Sequence, residues 1–156
     1  MTLNLTLAII VSEMPQSRDT ELRARLSGAG VQPTRQRITV LKALDAEEHD
    51  ATAQEIYARL RRRGERVGLA TVYRTLSILS ERGVVDELAH RPSETCYRLC
   101  SPGHHHHLVC SECHRVEELR SCDLEPWVDR AAGSRGFVPT SHTLEVVGLC
   151  ASCRAA

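Results

Sequence analysis

The chain has 156 residues, of which 42% are hydrophobic and 26% charged, the proportions of an ordinary soluble globular protein. The 20 basic and 20 acidic side chains leave no net charge, and the apolar stretch at residues 3–11 has no basic segment before it and is too short to span a bilayer. We therefore expect a cytoplasmic protein with no membrane association, whose seven cysteines are reduced rather than paired in disulfides.

The first half of the chain, up to Gly83, has the apolar spacing of short helices, with glycines and capping residues at their ends. The predicted helices run from Glu21 to Ala29, onward from Thr34, from Thr52 to the arginines at 61–63, and from Leu69 to Arg82. After Gly83 the pattern alternates, which predicts strands at 84–90 and 95–99 around a turn at 91–94. Helices followed by a two-stranded ribbon make a winged helix, a variant of the helix-turn-helix.

The second half of the chain mixes strands with one helix. Strands are predicted at 105–110, 116–119 and 142–149, with a helix over about 124–134, and residues 100–103 form a turn before them. A module this small is rarely stable without a metal ion or a partner chain.

Two C-x-x-C pairs, Cys110 with Cys113 and Cys150 with Cys153, are separated by 36 residues. One such turn brings two thiolates close enough to share an ion, and two turns complete a tetrahedral set of four. Zinc favours that set, which leaves no open position for catalysis. The spacing therefore predicts a structural zinc site, whereas a single C-x-x-C would also fit a redox dithiol.

Four consecutive histidines, His104 to His107, lie just before the first cysteine pair. Alternate residues of a strand point to the same face, so His105 and His107 form one pair while His104 and His106 form the other. Each pair can serve a different metal site, in addition to the four thiolates. One site would then hold the fold, and a second could sense metal.

Five motifs follow one another along residues 20–153: Pro33-Thr-Arg-Gln-Arg37, Leu69-Ala-Thr-Val-Tyr-Arg-Thr-Leu76, His104-His-His-His-Leu-Val-Cys110 with Cys113, His142-x-Leu-Glu145, and Cys150-x-x-Cys153. In this order they resemble the ferric uptake regulator superfamily and, within it, the zinc uptake regulator branch most. The resemblance implies a zinc-responsive, dimeric transcriptional repressor of metal-uptake and metal-homeostasis genes, and no enzymatic activity.

The resemblance also implies an α+β fold. The implied parts are an N-terminal extension at 1–19, a winged-helix DNA-binding domain at 20–99, a hinge at 100–103, and a metal-binding α/β dimerisation domain at 104–156. The partners would be a second copy of the chain and double-stranded operator DNA. Because the two-fold symmetry of a dimer is mirrored in the DNA it binds, the operator is expected to be pseudo-palindromic.

Two further metal sites follow from the resemblance. A regulatory hinge site would use Asp86, Cys100, His105 and His107, and a third site would use His104, His106, Glu125 and His142. A thiolate ligand in the hinge site favours zinc over metals that prefer oxygen ligands. Cys96 and Cys122 fall outside every predicted ligand set, and the histidines at 49, 90 and 114 belong to no motif.

For DNA binding, the resemblance identifies residues 69–82 as the recognition helix in the major groove. Tyr73 would contact a thymine methyl group, and Arg74 a phosphate or a guanine edge. Arg35 and Arg37 would contact the DNA backbone or a narrow A·T minor groove. Residues 20–91 carry 13 basic against 10 acidic side chains, which is a modest basic excess.

Two other functions remain open at the level of sequence, and a third, a zinc deaminase, lacks its motif. The chain could be an iron- or peroxide-responsive regulator of the same superfamily. A zinc-storage or trafficking protein would explain the histidines but not the winged helix. A zinc deaminase needs an H-x-E motif before P-C-x-x-C, and here Val109 precedes Cys110 and no H-x-E lies upstream of it.

Overall fold

The computed structural model describes residues 17–46 and 49–155. The predicted N-terminal extension, residues 1–19, therefore lies almost entirely outside the described residues. The elements are α1 (Arg18–Gly28), α2 (Arg35–Asp45), β1 (Ala51–Thr52), α3 (Ala53–Arg62), α4 (Leu69–Glu81), β2 (Val85–Leu88), β3 (Cys96–Leu99), β4 (His106–Cys110), β5 (Val116–Leu119), α5 (Glu125–Gly133), β6 (Glu145–Gly148) and α6 (Ala151–Arg154). None of the described helices is long and apolar enough to cross a membrane.

Side chains that cap the helices determine where three of the first four begin. Thr34 accepts a hydrogen bond from the backbone N–H of Arg37, which starts α2. Thr52 and Glu55 form the reciprocal capping box of α3, as their spacing predicts. Helix α1 begins at Arg18 rather than Glu21, because Ser17 accepts a hydrogen bond from the N–H of Thr20.

Strands β1, β3 and β2 form the first sheet, in that order, and all its pairs are antiparallel. Gly83 has φ +63°, a backbone conformation that glycine adopts without strain, and it turns the chain from α4 into β2. The β2–β3 pair is the wing of a winged helix. Strand β1 has only two residues, too few to show the alternation by which a strand is predicted from sequence.

The second sheet has the order β5-β4-β6. Strand β5 is antiparallel to β4, whereas β6 is parallel to it, so α5 lies in the crossover connection between β5 and β6. The last strand is shorter than the predicted 142–149, covering Glu145–Gly148, and the short helix α6 follows it.

The hydrophobic core lies mainly in the first half of the molecule. It is built from leucine, valine, isoleucine and alanine of α1 to α4 and of the first sheet. A separate small cluster of Leu88, Cys96, Val109 and Val116 joins the wing to the second sheet. Helix α5 contains no buried residue. The second half therefore has little apolar core of its own to stabilise it.

The winged helix and the α/β C-terminal part agree with the fold class predicted from the sequence. The boundaries 20–99, 100–103 and 104–156 stay a prediction. In two hydrogen bonds a backbone N–H donates to a glutamate side chain: Ser101, in the predicted hinge, donates to Glu118 Oε1 at 3.1 Å, and Ala89 donates to Glu145 Oε2 at 3.3 Å. Both connect the two halves of the molecule.

Candidate metal centres and nucleic-acid interface

The four cysteines of the two C-x-x-C pairs come together. All four sulfur atoms lie within 4.8 Å of one another, and the Sγ atoms of Cys113 and Cys150 are 3.7 Å apart. Zn–S bonds of about 2.3 Å in a tetrahedron require sulfur atoms about 3.8 Å apart, so this spacing fits zinc. Cys110 ends β4 and Cys150 caps α6, so the site joins the central strand of the second sheet to the C-terminal helix.

The backbone around Cys110 favours its thiolate form. The N–H groups of Cys113 and Cys150 hydrogen-bond its sulfur and lower the pKa of that thiol to about 6. A hydrogen bond with Cys150 instead raises the pKa of Cys153 to about 12. Cys110 therefore loses its proton more easily than Cys153. A cation that binds thiolates can replace the protons that remain on the four sulfur atoms. All seven cysteines are free of disulfides.

Three of the four residues predicted for the hinge site form a group. Asp86 on β2 lies with its Oδ2 atom 2.6 Å from His105 Nε2 and 3.0 Å from His107 Nε2. The carbonyl of Gly103 lies 2.8 Å from the other ring nitrogen of His105, and this contact orients the ring. The group therefore spans the wing and the strand that begins the second sheet.

Electrostatics favour an ionised Asp86. Burial alone would raise the pKa of this carboxyl group, but the nearby His107, His105 and Cys100 outweigh burial and lower it. The same contact with Asp86 raises the pKa of His105 against the effect of burial. A carboxylate facing two imidazoles is a ready set of ligands for a divalent cation.

Cys100, the fourth predicted hinge ligand, lies beside this group but is not part of it. Its sulfur is directed at the Gly83 carbonyl, 3.8 Å away, and accepts a hydrogen bond from Arg25 Nη2 at 3.9 Å. Burial, with the charge of Asp86, raises the pKa of Cys100 to about 12. The thiol is therefore protonated here, and binding a metal would require it to lose that proton.

The group at the predicted third metal site differs from the prediction in one ligand. His104, His106 and His142 are grouped with Cys122, whose sulfur lies 3.0 Å from His106 Nε2 and 3.2 Å from His142 Nε2. Glu125, the predicted fourth ligand, is the exposed first residue of α5 and is not in the group. The loop between β5 and α5 carries Cys122 to the histidines instead.

The backbone N–H of Leu144 donates to His106 Nδ1 at 3.2 Å, which directs Nε2 toward Cys122. Burial and the charges of His104 and His142 lower the pKa of His106. A neutral imidazole is the form that binds metals.

The predicted DNA-contacting residues lie on accessible surface. Helix α4 buries Val72, Leu76 and Leu79 and leaves Tyr73 44% exposed. Arg74 and Arg35 are also exposed, and Arg37 donates to the Gln32 carbonyl at 2.9 Å. The buried face of α4 packs the helix against the core, and Tyr73, on the opposite face, is exposed enough to contact a partner.

Six large apolar side chains of the C-terminal part are exposed, and we call them together the C-terminal apolar surface: Trp127, Phe137, Val138, Val146, Val147 and Leu149, with Val138 88% and Phe137 71% exposed. Two of these residues lie on β6, an edge strand of the second sheet. Exposed apolar patches beside an open sheet edge are typical of protein–protein contacts.

Comparison with known proteins gives consistent results. The sequence profile of the Ferric uptake regulator family matches residues 28–147. The zinc uptake regulation protein of Mycobacterium tuberculosis is 44% identical over 129 residues, which cover 83% of this chain and 99% of that protein. The ferric uptake regulation protein of Escherichia coli is 33% identical over 138 residues, covering 86% of this chain and 93% of that protein. A solved zinc uptake regulator complexed with zinc and DNA is 27% identical, covers 90% of this chain and 97% of that chain, and superposes with a TM-score of 0.75.

Proposed function

This chain belongs to the ferric uptake regulator family, and we propose that it is a zinc-responsive transcriptional repressor that binds operator DNA as a homodimer when its regulatory zinc site is filled. It is a regulator and not an enzyme. We further propose that it works in the cytoplasm and controls genes of metal uptake and homeostasis.

One observation carries the proposal: Asp86 of the wing lies within 3.0 Å of His107 in β4 and of His105, which directly precedes that strand. A single cation bound there would join the part that carries α4 to the C-terminal part. Filling the site would therefore limit how the DNA-binding parts of a dimer move relative to each other. Cys100 is the fourth ligand of this proposed site, and its thiolate would favour zinc.

We assign the four sulfur atoms of Cys110, Cys113, Cys150 and Cys153 to structural zinc. Their mutual spacing fits a closed tetrahedral site, and no position is left for a substrate. The third group, His104, His106, Cys122 and His142, is proposed as an additional zinc site. Three imidazoles with the thiolate of Cys122 suit zinc better than three imidazoles with the carboxylate of Glu125, because sulfur is a softer donor than oxygen.

The C-terminal apolar surface is the proposed dimer interface. Its residues lie on or next to α5 and β6, the elements with no buried side chains of their own. A second copy would bury them and pair with the open edge of the sheet. The winged helices would then lie on both sides of the dimer axis, in position to read two half-sites.

Zinc-dependent DNA binding tests the proposed function. A duplex is first selected from a random pool by the zinc-loaded protein, and binding of the purified chain to it is then titrated against buffered free Zn²⁺ and, without oxygen, Fe²⁺. We expect zinc to tighten binding at least 100-fold and iron to have little effect. Equal binding with and without zinc would refute a zinc-responsive repressor. A response to iron alone would favour the iron-sensing alternative.

The proposed DNA contacts predict two distinct effects in the same assay. Arg35→Ala removes a phosphate contact, so binding should weaken for all sequences alike and the log–log salt slope should fall by about 0.9. Tyr73→Ala removes a base contact and should cost about 1–3 kcal/mol at one base position only. Arg120→Ala is the matched control, because this exposed arginine follows β5 and its side chain donates to Ser101 rather than to a residue of α4. Unchanged binding by both variants would mean that these residues do not contact DNA.

A further inference from the structure

A fourth group of potential ligands lies outside every site described above. It consists of Asp50, His90 and Cys96, and we call it the junction cluster. One ligand atom from each residue lies within 4.8 Å of the others. Asp50 precedes β1, His90 follows β2, and Cys96 begins β3, so all three strands of the first sheet contribute.

The polar atoms of the junction cluster are buried and poorly satisfied. The side chain of Asp50 is 0% exposed and that of His90 is 1% exposed. Within residues 17–46 and 49–155, neither ring nitrogen of His90 has a hydrogen-bond partner, and the carboxylate oxygens of Asp50 have none apart from the Cys96 thiol of the same cluster. Their closest approach is 3.5 Å, between His90 Nε2 and Asp50 Oδ2, which is too long for a good hydrogen bond. Leaving such groups unsatisfied in a protein interior costs free energy, so a missing ligand is the simpler explanation.

An internal ion pair with Arg91 does not account for the cluster. The Nη2 atom of Arg91 is 3.6 Å from Asp50 Oδ2, whereas its Nη1 atom donates to Glu55 at the shorter distance of 3.0 Å. Arg91 is therefore neutralised mainly by Glu55. Asp50 and an ionised Cys96 would together carry two negative charges, which match a divalent cation.

We propose that Asp50, His90 and Cys96 bind a divalent cation that favours sulfur and nitrogen ligands, such as Zn²⁺. One carboxylate oxygen, one imidazole nitrogen and one sulfur provide three ligands of a tetrahedral site. The fourth position is left to water or to His114, whose ring centroid lies 5.6 Å from that of His90 and whose buried Nδ1 has no hydrogen-bond partner among the described residues.

Cys96 would change its protonation state when a cation binds. Burial, together with the Asp50 carboxylate, raises the pKa of Cys96 to about 12, so the thiol is protonated when no cation is bound. A bound cation would displace that proton to solvent as the S–M bond forms. Without a bound cation, Cys96 is therefore unsuited to act as a free, reactive thiolate.

The position of the cluster gives the cation a structural effect. Cys96 packs with Leu88 of the wing and with Val109 and Val116 of the second sheet. His114 lies in the turn that follows Cys113 of the four-cysteine site. With His114 as the fourth ligand, a cation here would brace the wing against the second sheet at a point separate from Asp86.

Anomalous X-ray scattering on crystals of the wild-type, zinc-loaded protein gives a direct test. Data collected on both sides of the zinc absorption edge should show a peak between the side chains of Asp50, His90 and Cys96, in addition to peaks at the other zinc groups. Absence of a peak there at saturating zinc, with the four-cysteine peak present, would overturn the proposal. This result depends neither on DNA binding nor on a variant that folds.

Variants allow the number of bound zinc ions per chain to be counted independently in solution. Native mass spectrometry of the zinc-loaded dimer should find one zinc ion fewer per chain in Asp50→Asn and in Cys96→Ala than in the wild type. Leu88→Val is the matched control, because it removes volume from the cluster that contains Cys96 but removes no ligand; it should keep the wild-type count. An unchanged count in folded Asp50→Asn would overturn the proposal, while failure of zinc-dependent DNA binding would bear on the proposed function alone.

Discussion

Cys150→Ser is expected to abolish the folded dimer, not merely to weaken the response to zinc. Structural zinc in a four-cysteine site contributes about 10–16 kcal/mol of apparent binding free energy, and that energy is also folding energy. The free energy of unfolding of a whole domain is only about 5–15 kcal/mol. The C-terminal part has little core to compensate, because α5 and α6 bury no residue and β6 is largely exposed. Cys113→Ser should behave in the same way.

The measurements are zinc content, sedimentation and thermal unfolding of one preparation of each variant. We expect Cys113→Ser and Cys150→Ser to be monomeric and prone to aggregation, and added zinc should not restore the dimer. Cys122→Ser is the matched control: it is the same substitution in the same half of the molecule, and it removes a ligand of the third group but none of the four structural sulfurs, so it should lose at most one zinc ion per chain. It should stay a folded dimer. A stable, zinc-responsive dimer of Cys150→Ser would contradict the structural role.

Local sequence patterns were enough to predict most of this fold. The capping box of Thr52 and Glu55 and the apolar face of α4 involve residues a few positions apart, so their spacing predicts the structure directly. The two C-x-x-C pairs are distant from each other in sequence, but each pair is a local turn that the sequence shows directly. Because structural zinc needs four ligands, one pair implies the other. Strand β1 is the exception, because its two residues gain their conformation only by pairing with β3.

The remaining ligands could not be predicted from local patterns. Cys122 reaches the histidines through an irregular loop, and no periodicity in the sequence distinguishes it from Glu125 three residues later. The junction cluster is less visible still, since Asp50, His90 and Cys96 come from three segments that meet only when the first sheet forms. A cysteine or histidine with no motif around it gives no local signal of this kind.

His105→Ala is expected to leave a folded dimer with intact structural zinc that no longer binds its operator at limiting zinc. The reason is the position of the hinge group: Asp86 belongs to the wing, while His107 belongs to β4 of the second sheet and His105 directly precedes that strand. Zinc held between them would not create the DNA-contacting surface of α4. It would instead stabilise the arrangement in which both winged helices fit one operator. Cys100→Ser should have the same effect if its thiolate completes the site.

Thermodynamic linkage makes this prediction quantitative. If zinc tightens operator binding about 100-fold, the coupling free energy is roughly 2.7 kcal/mol, and operator DNA must tighten zinc at this site by the same factor. Zinc affinity is therefore to be measured with and without operator DNA, alongside zinc content and dimerisation. His105→Ala should lose this coupling, whereas the control Glu125→Ala, at an exposed residue outside every group, should keep it. Retained coupling in both His105→Ala and Cys100→Ser would mean that the switch lies at another zinc group, and the group of His104, His106 and His142 would be the next to test.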